Sequence, residues 1–544
     1  MRKTEEILID ILAKRGITEA EDISEFLSDK PKKTYDPFLL LNMEAGVDLL
    51  LSEIKNGNKI CIYGDYDADG VTSICVLSHV IGMLTDNFTY YIPSRFEEGY
   101  GLNKRAIKKI YDDGVGLMIT VDCGSVSYDE VEYAKELGMK VIVTDHHSIE
   151  NIKADCILIN PKQSDCTYPF KELAGCGVAF KLAQAIQQKT GLPKSVINDV
   201  LDLVAVGTVG DVVSLTDENR TIVKYGLNKI NAGGRKALKH LTKSISLPWI
   251  TSENISFGIA PHINAAGRMA SAKEAVELFI AKDDATIEEK VRNLIYFNTQ
   301  RKKKQDEAYN IGISMISEDD NFILLHMENI HEGIGGIVAG KIKESVGKPV
   351  AIVTPSGEGY LKGTARSIDK IDLFKLLKNQ ESLFERFGGH RSACGFLLKE
   401  ENLDLLRKGL ESDVTKMLEE NPDLFEKEVS WDIELTSEEI TLDLAQELKK
   451  IEPFGQGNPK PIAMLKDVYI DQVRFMGEDK THARFLAKSP YEKAIECVLF
   501  KRAQELKEML LNGMHLDVSG TIEFQRWNGK EKVQFIVEEI VLCR

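Results

Sequence analysis

Residues 63–70 read YGDYDADG and place Asp65, Asp67 and Asp69 two apart, immediately before Gly70. Alternate carboxylates ahead of a glycine open a calcium loop, where they grip one hard cation while the glycine permits a sharp turn. Such a loop needs a bidentate glutamate at its twelfth position and a helix in front. Val76 occupies the twelfth position, and the preceding KICIYG is a strand pattern. A self-contained calcium loop is excluded, so the partners of these carboxylates must lie elsewhere in the chain.

Other polar groups follow short apolar runs further on. Arg95 follows TYYI (89–92), Asp122 follows LMITV (117–121), and Asp145, His146 and His147 follow KVIVT (140–144). Asn160 ends CILIN (156–160). Several carboxylates and an imidazole gathered at one place need a counter-charge, because like charges a few ångströms apart do not all stay ionised. A pair of divalent cations supplies it, and an oxygen-rich set with one imidazole suits Mn²⁺ or Mg²⁺ better than zinc. Two such ions about 3.5–4 Å apart activate a water and stabilise the leaving oxygen of a phosphoryl displacement. The expected reaction is phosphoester hydrolysis. In an extended segment adjacent side chains alternate, so one of His146 and His147 can ligate metal while the other faces substrate.

Placing these groups together requires a particular scaffold. The β-branched runs at 59–63, 89–92, 117–121, 140–144 and 156–160 alternate with helical patterns such as 103–113 and 127–138. That alternation predicts a parallel, doubly wound sheet, in which ligands bind beyond the carboxyl ends of the strands. A helical preface is expected over 1–45, the sheet domain over 46–283, and a long charged helix over 284–317 carrying the basic run 301–305. A smaller α/β unit is expected over 318–425. The last part, 426–544, reads as five strands with a helix at 501–512 between the third and fourth, the order of an OB-fold β-barrel. In that barrel Phe475, Phe485, Phe524 and Phe535 read mostly as core, and Trp527 is the candidate for an exposed stacking platform.

The 544 residues, 43% hydrophobic and 28% charged, suit a soluble multidomain protein. No apolar run reaches the ~18 to 20 residues of a membrane span, and the start lacks a signal-peptide core, so a cytoplasmic location without membrane association is expected. The nine cysteines are scattered with no C-x-x-C pair, which argues against a disulfide framework or a thiolate zinc site. A net charge of −16 weighs against non-specific coating of nucleic acid but leaves room for a narrow basic channel.

The ordered set DYDADG, VDCG (121–124), TDHH (144–147) and GTVGDVV (207–213) resembles the DHH phosphoesterase family, and GGHRSACG (388–395) resembles the motif of its DHH-associated domain. YIPSRFEEGYGLN (91–103), PHINAAGRM (261–269), GTARS (363–367) and EPFGQGNPKP (452–461) extend the likeness to the RecJ-type exonucleases of that family across nearly the whole chain. The resemblance implies a DHH domain over 46–283, a DHH-associated domain over 318–425 and a nucleic-acid-binding OB-fold over 426–544. It also implies 5′ to 3′ degradation of single-stranded DNA in repair and recombination. By the same likeness Asp65, Asp67, Asp69, Asp122, His146 and Asp211 form the metal set, Asp145 is an orienting carboxylate, and His147 meets the scissile phosphate. Arg95, Arg268, Arg366, Ser367, Gly388, Gly389 and His390 correspond to groups that bind the backbone or terminal phosphate. Tyr63 stands where related phosphatases carry a histidine, which leaves direct ligation by Asp65 open. A helicase and a single-strand binding protein are the partners that would deliver such a substrate. Two other readings are a short-oligonucleotide or nucleotide phosphatase of the family, and an inactive replication scaffold.

Overall fold

The computed structural model describes residues 2–149, 152–357, 359–426, 429–489, 492–527 and 530–542, with backbone alone at 526, 527 and 530. Its strands form three sheets.

The first sheet contains β1 (Lys59–Gly64), β2 (Phe88–Tyr91), β3 (Val115–Val121), β4 (Lys140–Thr144) and β5 (Ile157–Ile159), all parallel, in the order β2-β1-β3-β4-β5. Successive residues of β1 feed opposite faces: Ile60 and Ile62 join one core, Cys61 and Tyr63 the other. The strand order reverses between β1 and β3, so a crevice opens at their carboxyl ends. Asp65–Asp69 and Asp122 lie there. On one face the helices Gly175–Thr190 and Leu201–Gly210 pack against the helix Ala68–Ile81, in the larger of the two cores. That packing brings Asp211, the residue closing Leu201–Gly210, to the same edge.

The helix Asp284–Ser314 runs 31 residues, about 46 Å at ~1.5 Å per residue, and is capped by the Asp283 carboxylate on the Thr286 amide. It leads to the second sheet: β6 (Ile323–His326), β7 (Val350–Pro355), β8 (Tyr360–Arg366), β9 (Phe384–His390) and β10 (Ala393–Lys399), ordered β6-β7-β8-β10-β9. Within this sheet, among the described residues, β6 and β7 pair in parallel and the other pairs are antiparallel.

The third sheet contains β11 (Ile433–Glu434), β12 (Ala463–Met476), β13 (His482–Lys488), β14 (Ile495–Leu499), β15 (His515–Trp527) and β16 (Lys530–Leu542). Pairing of β12 with both β13 and β15 closes a five-stranded barrel, with β11 added at its rim. Phe485 and Phe535 are core, as expected, and Phe475 and Phe524 pack on the core half-buried. The side chain of Trp527 lies outside the described residues.

Residues 501–512 differ from expectation: they form a run of turns rather than a helix. The Ala503 amide is drawn to the Thr481 carbonyl, and Arg502 reaches across to the Glu538 carbonyl and the Glu539 carboxylate. These long-range bonds tie the start of the segment to the barrel, and buried Ala503, Leu506 and Leu510 anchor the turns to its core.

The helices Thr4–Lys14 and Ala20–Leu27 bury their apolar residues against the barrel, and Phe26 also meets the sheet domain, its carbonyl accepting from Arg220 at 2.9 Å. Ile7, Leu8, Ile11, Phe26 and Leu27 join the barrel core, and Arg2 pairs with buried Glu439.

Candidate active site

Each acidic group at the crevice is held by its own element. Asp67 caps Ala68–Ile81, its Oδ1 accepting from the amides of Asp69 and Gly70 at 2.9 and 3.0 Å. Buried Asp69 rests on the start of the helix Gly175–Thr190, accepting from the amides of Gly175 at 2.6 Å and Cys176 at 2.8 Å. The fit needs glycine at 175, since a Cβ there would stand 2.5 Å from the Asp122 Cβ. Asp122 leaves β3 with φ +60°, a left-handed turn aspartate tolerates better than most residues, and this swings its carboxylate into the crevice.

His146 gathers the cluster. Its Nε2 lies 3.1 Å from Asp122 Oδ1, 3.5 Å from Asp211 Oδ2 and 3.9 Å from Asp69 Oδ2. Three overlapping groups have ligand atoms within 4.8 Å of one another: Asp122, Asp145, His146 and His147; Asp69, His146 and Asp211; Asp65, Asp67 and Asp122. Burial pushes the carboxyls of Asp65, Asp69 and Asp122 upward, and charge from neighbouring aspartates adds to it. Burial, then Asp69 and Asp67, push Asp211 up to about 9. Burial drives His146 down to about 4, which keeps its imidazole neutral with a lone pair to give. Asp65 Oδ1, Asp122 Oδ1 and both ring nitrogens of His146 are buried with no hydrogen-bond partner among the described residues. Buried acceptors that repel one another and lack donors fit divalent cations.

Asp145 and His147 form a separate pair. Asp145 Oδ2 accepts from the Ser125 amide at 2.9 Å, and Oδ1 accepts from the His146 amide and from His147 Nδ1, both at 2.7 Å. Burial opposes the Asp145 charge, but the bonds and charge from His147 hold its carboxyl well below the usual range. Burial likewise opposes charge on His147, and its bond to Asp145 outweighs this and raises its pKa. Asn160, at the end of β5, donates to the His147 carbonyl at 2.9 Å and fixes the backbone there.

Tyr63 is turned away from the acids. Its hydroxyl donates to the Gly101 carbonyl at 2.8 Å, and its ring stacks on Tyr91 with centroids 5.5 Å apart. It braces the loop that carries Tyr100, whose hydroxyl meets His147 Nε2 at 3.2 Å.

The arginines lie where the first two sheets meet. The Arg95 guanidinium sits 4.9 Å from the Tyr66 ring centroid. Arg268 donates to the Gly333 carbonyl at 3.0 Å, and Arg366 to the Ala365 carbonyl at 2.8 Å. Burial lowers both pKa values, Arg268 to about 10, and the charge of Arg95 contributes in each case. Ser367 is buried beside them with an unpartnered Oγ. Gly388, Gly389 and His390 lie two strands further out on exposed β9, with His390 and Arg366 both in register with Ala393 of β10.

The same three-part organisation recurs in known proteins. Residues 59–208 match the DHH family N-terminal domain, 319–416 the DHHA1 domain, and 431–539 the RecJ OB domain. The single-stranded-DNA-specific exonuclease RecJ of Bacillus subtilis is 36% identical over 543 residues, covering 98% of this chain and 67% of that protein. The chain belongs to the RecJ family. RecJ of Haemophilus influenzae is 34% identical, over 84% of this chain and 83% of that one. Among solved structures, RecJ of Thermus thermophilus in complex with Mn²⁺ superposes with a TM-score of 0.84 at 27% identity, covering 98% of this chain and 76% of that one. A complex of the same protein with Mg²⁺ gives 0.79.

Several contributors at this RecJ-family site carry no plain signal in the sequence. GGIVAG (335–340) reads as a tightly packed helix, and the residues just before it join the two sheets: a Cβ on Gly333 would stand 2.4 Å from the Arg268 carbonyl. Asn264, in PHINAAGRM, accepts from the Ala68 amide at 2.7 Å and so helps seat the acid-bearing helix. Arg301, in the basic run, bonds Asn298, which also donates to His262. Asparagine and histidine inside apolar helical patterns are the signal that could have found them.

Proposed function

We propose that this chain is a single-stranded-DNA-specific exonuclease that removes nucleotides from the 5′ end by hydrolysis with two divalent ions, Mn²⁺ or Mg²⁺, in DNA repair and recombination. The observation that carries the reading is the convergence of five aspartates and a neutral imidazole on one crevice, in a chain matched to RecJ proteins along nearly its full length. Asp65, Asp67, Asp69, Asp122, His146 and Asp211 would hold the ions. When bound, these supply Lewis-acid polarisation of the phosphate and activation of the attacking water.

The remaining work falls to the chain's own groups. Asp145, fixed by backbone amides, accepts from His147 Nδ1–H and favours the imidazolium, whose Nε2–H can donate to a phosphate oxygen. Arg95, Arg268 and Arg366 offer charge-assisted bonds to backbone or terminal phosphates, with Ser367, Gly388, Gly389 and His390 completing that surface. We also propose a cytoplasmic location, supported by the lack, among the described residues, of any helix long and apolar enough to cross a membrane. A helicase and a single-strand binding protein belong to the same reading as partners that deliver the strand.

The test compares a long 5′-labelled single strand with a dinucleotide, each incubated with the purified protein and Mn²⁺. Stepwise loss of the long strand from its 5′ end is expected. Activity confined to the dinucleotide would favour the phosphatase, and an intact strand under all conditions the scaffold.

A further inference from the structure

A polar cavity of about 290 Å³ adjoins the proposed phosphate grip. It is lined by the loop that carries Arg95, by Arg105 and Lys109 of the helix Lys104–Asp112, and by the segment 270–273. The Arg95 guanidinium lies over the Tyr66 ring at 4.9 Å, and this pair is the wall the cavity shares with the acid cluster, since Tyr66 stands between Asp65 and Asp67. Neither Arg268 nor Arg366 is among the described residues that line it.

The charge of this cavity is one-sided. Arg95, Arg105, Lys109 and Lys273 line it, and none of them forms an ion pair among the described residues. The Lys109 and Lys273 ammonium groups lie instead 5.6 and 6.0 Å from the centroid of the Tyr91 ring. Of the lining carboxylates, Glu97 and Glu98, the second is already engaged, accepting from the Tyr91 hydroxyl and the Ser94 amide, both at 2.7 Å. The cavity keeps a positive excess in a chain whose net charge is −16. A cleft lined by one sign of charge concentrates ions of the other.

We propose that this cavity is a product site, which takes the nucleoside 5′-monophosphate released at each turnover and holds its phosphate with Arg105, Lys109 and Lys273. The inference rests on the reading of the chain as a 5′ exonuclease. A grip for a terminal phosphate works repeatedly only if each cut leaves a phosphate on the shortened strand. The bond broken is then the one from phosphorus to the 3′-oxygen of the terminal nucleotide. Water supplies the oxygen that joins phosphorus and the proton that the 3′-oxygen takes, and its other proton goes to solvent. The nucleotide set free carries the former terminal phosphate, largely a dianion at neutral pH. While the shortened strand fills the groove, the cavity across Arg95 gives that dianion a route the strand does not occupy. Its volume stands at the low end of the ~300–1,000 Å³ of ligand pockets, which suits one nucleotide and not a strand.

Calorimetric titration with thymidine 5′-monophosphate in EDTA, with the protein saturated by an oligonucleotide, tests it. The nucleotide is expected to bind alongside the strand, and Lys109→Ala combined with Lys273→Ala, both at exposed positions, should weaken it by about tenfold or more. Inorganic phosphate should bind more weakly and thymidine not at all. Unchanged affinity in the double variant, or displacement of the nucleotide by the strand, would overturn the site; phosphate binding as tightly as the nucleotide would leave an anion site and overturn the product assignment. With Mn²⁺ and a 5′-labelled strand, labelled mononucleotide should stay with the wild type in rapid filtration and be lost from the double variant. Retention of nucleotide added from solution, but not of nucleotide cut from the strand, would also overturn the product assignment. Because the titration needs no turnover, Lys109-dependent and Lys273-dependent binding in a protein that leaves every strand intact would sink the proposed function and leave a nucleotide pocket standing.

Discussion

The acidic and the basic halves of the site are built by opposite means. Asp67, Asp69, Asp122 and Asp145 are fixed by amides or backbone turns within one domain, on a parallel sheet buried on both faces. Arg268 and Arg366 are steadied by carbonyls and by the loop 331–336 at the meeting of two sheets. The groups proposed for chemistry are therefore preorganised by a single core. Those proposed to grip the strand depend on how two domains sit against each other.

That contrast can be broken from either side. The largest effect is expected for Asp122→Ala, which should lower kcat by at least about a thousandfold with the circular dichroism spectrum unchanged. Near-normal turnover would remove Asp122 from the ligand set. Gly333→Ala comes next: its Cβ would press on the Arg268 carbonyl and shift the junction, costing about a hundredfold in kcat/KM. Mn²⁺ affinity, measured by calorimetry, should stay as in the wild type; a parallel fall would mean that the two halves are not independent. Arg366→Ala should raise KM by about tenfold with little change in kcat, read from steady-state kinetics on a short strand. Smallest is Tyr63→Phe, which loses the bond to Gly101 and about 1 kcal/mol of stability in urea titration. Mn²⁺ binding should be unaffected, since the hydroxyl points away from the aspartates.

The acidic half is largely legible in the sequence, because its determinants are local. A β-branched run followed by aspartate or histidine carries both the strand and the group at its end, as at LMITV–Asp122 and KVIVT–Asp145. Parallel pairing then stacks those ends at one edge. The basic half is legible only as residue types. Arg268 and Gly333 are 65 residues apart, and nothing in either motif shows that one carbonyl must lie against the other. Tyr63 marks the same limit, since the family resemblance places it where relatives carry a histidine, while the side-chain alternation of β1 sends it into the opposite core. The turns at 501–512 also depart from the helical pattern, and their anchoring to the barrel through Ala503, Leu506 and Leu510 is long-range and invisible in that pattern.

What would unite the two halves is the proposed two-metal site at one strand edge with the proposed phosphate grip beside it. Anomalous scattering from a crystal soaked in Mn²⁺ with a short 5′-phosphorylated strand would locate both at once. Two peaks about 3.5–4 Å apart are expected, ligated by the Asp65, Asp67, Asp69, Asp122, His146 and Asp211 side chains, with the strand phosphates against Arg95, Arg268 and Arg366. Peaks away from this cluster, or a strand seated far from those arginines, would contradict it.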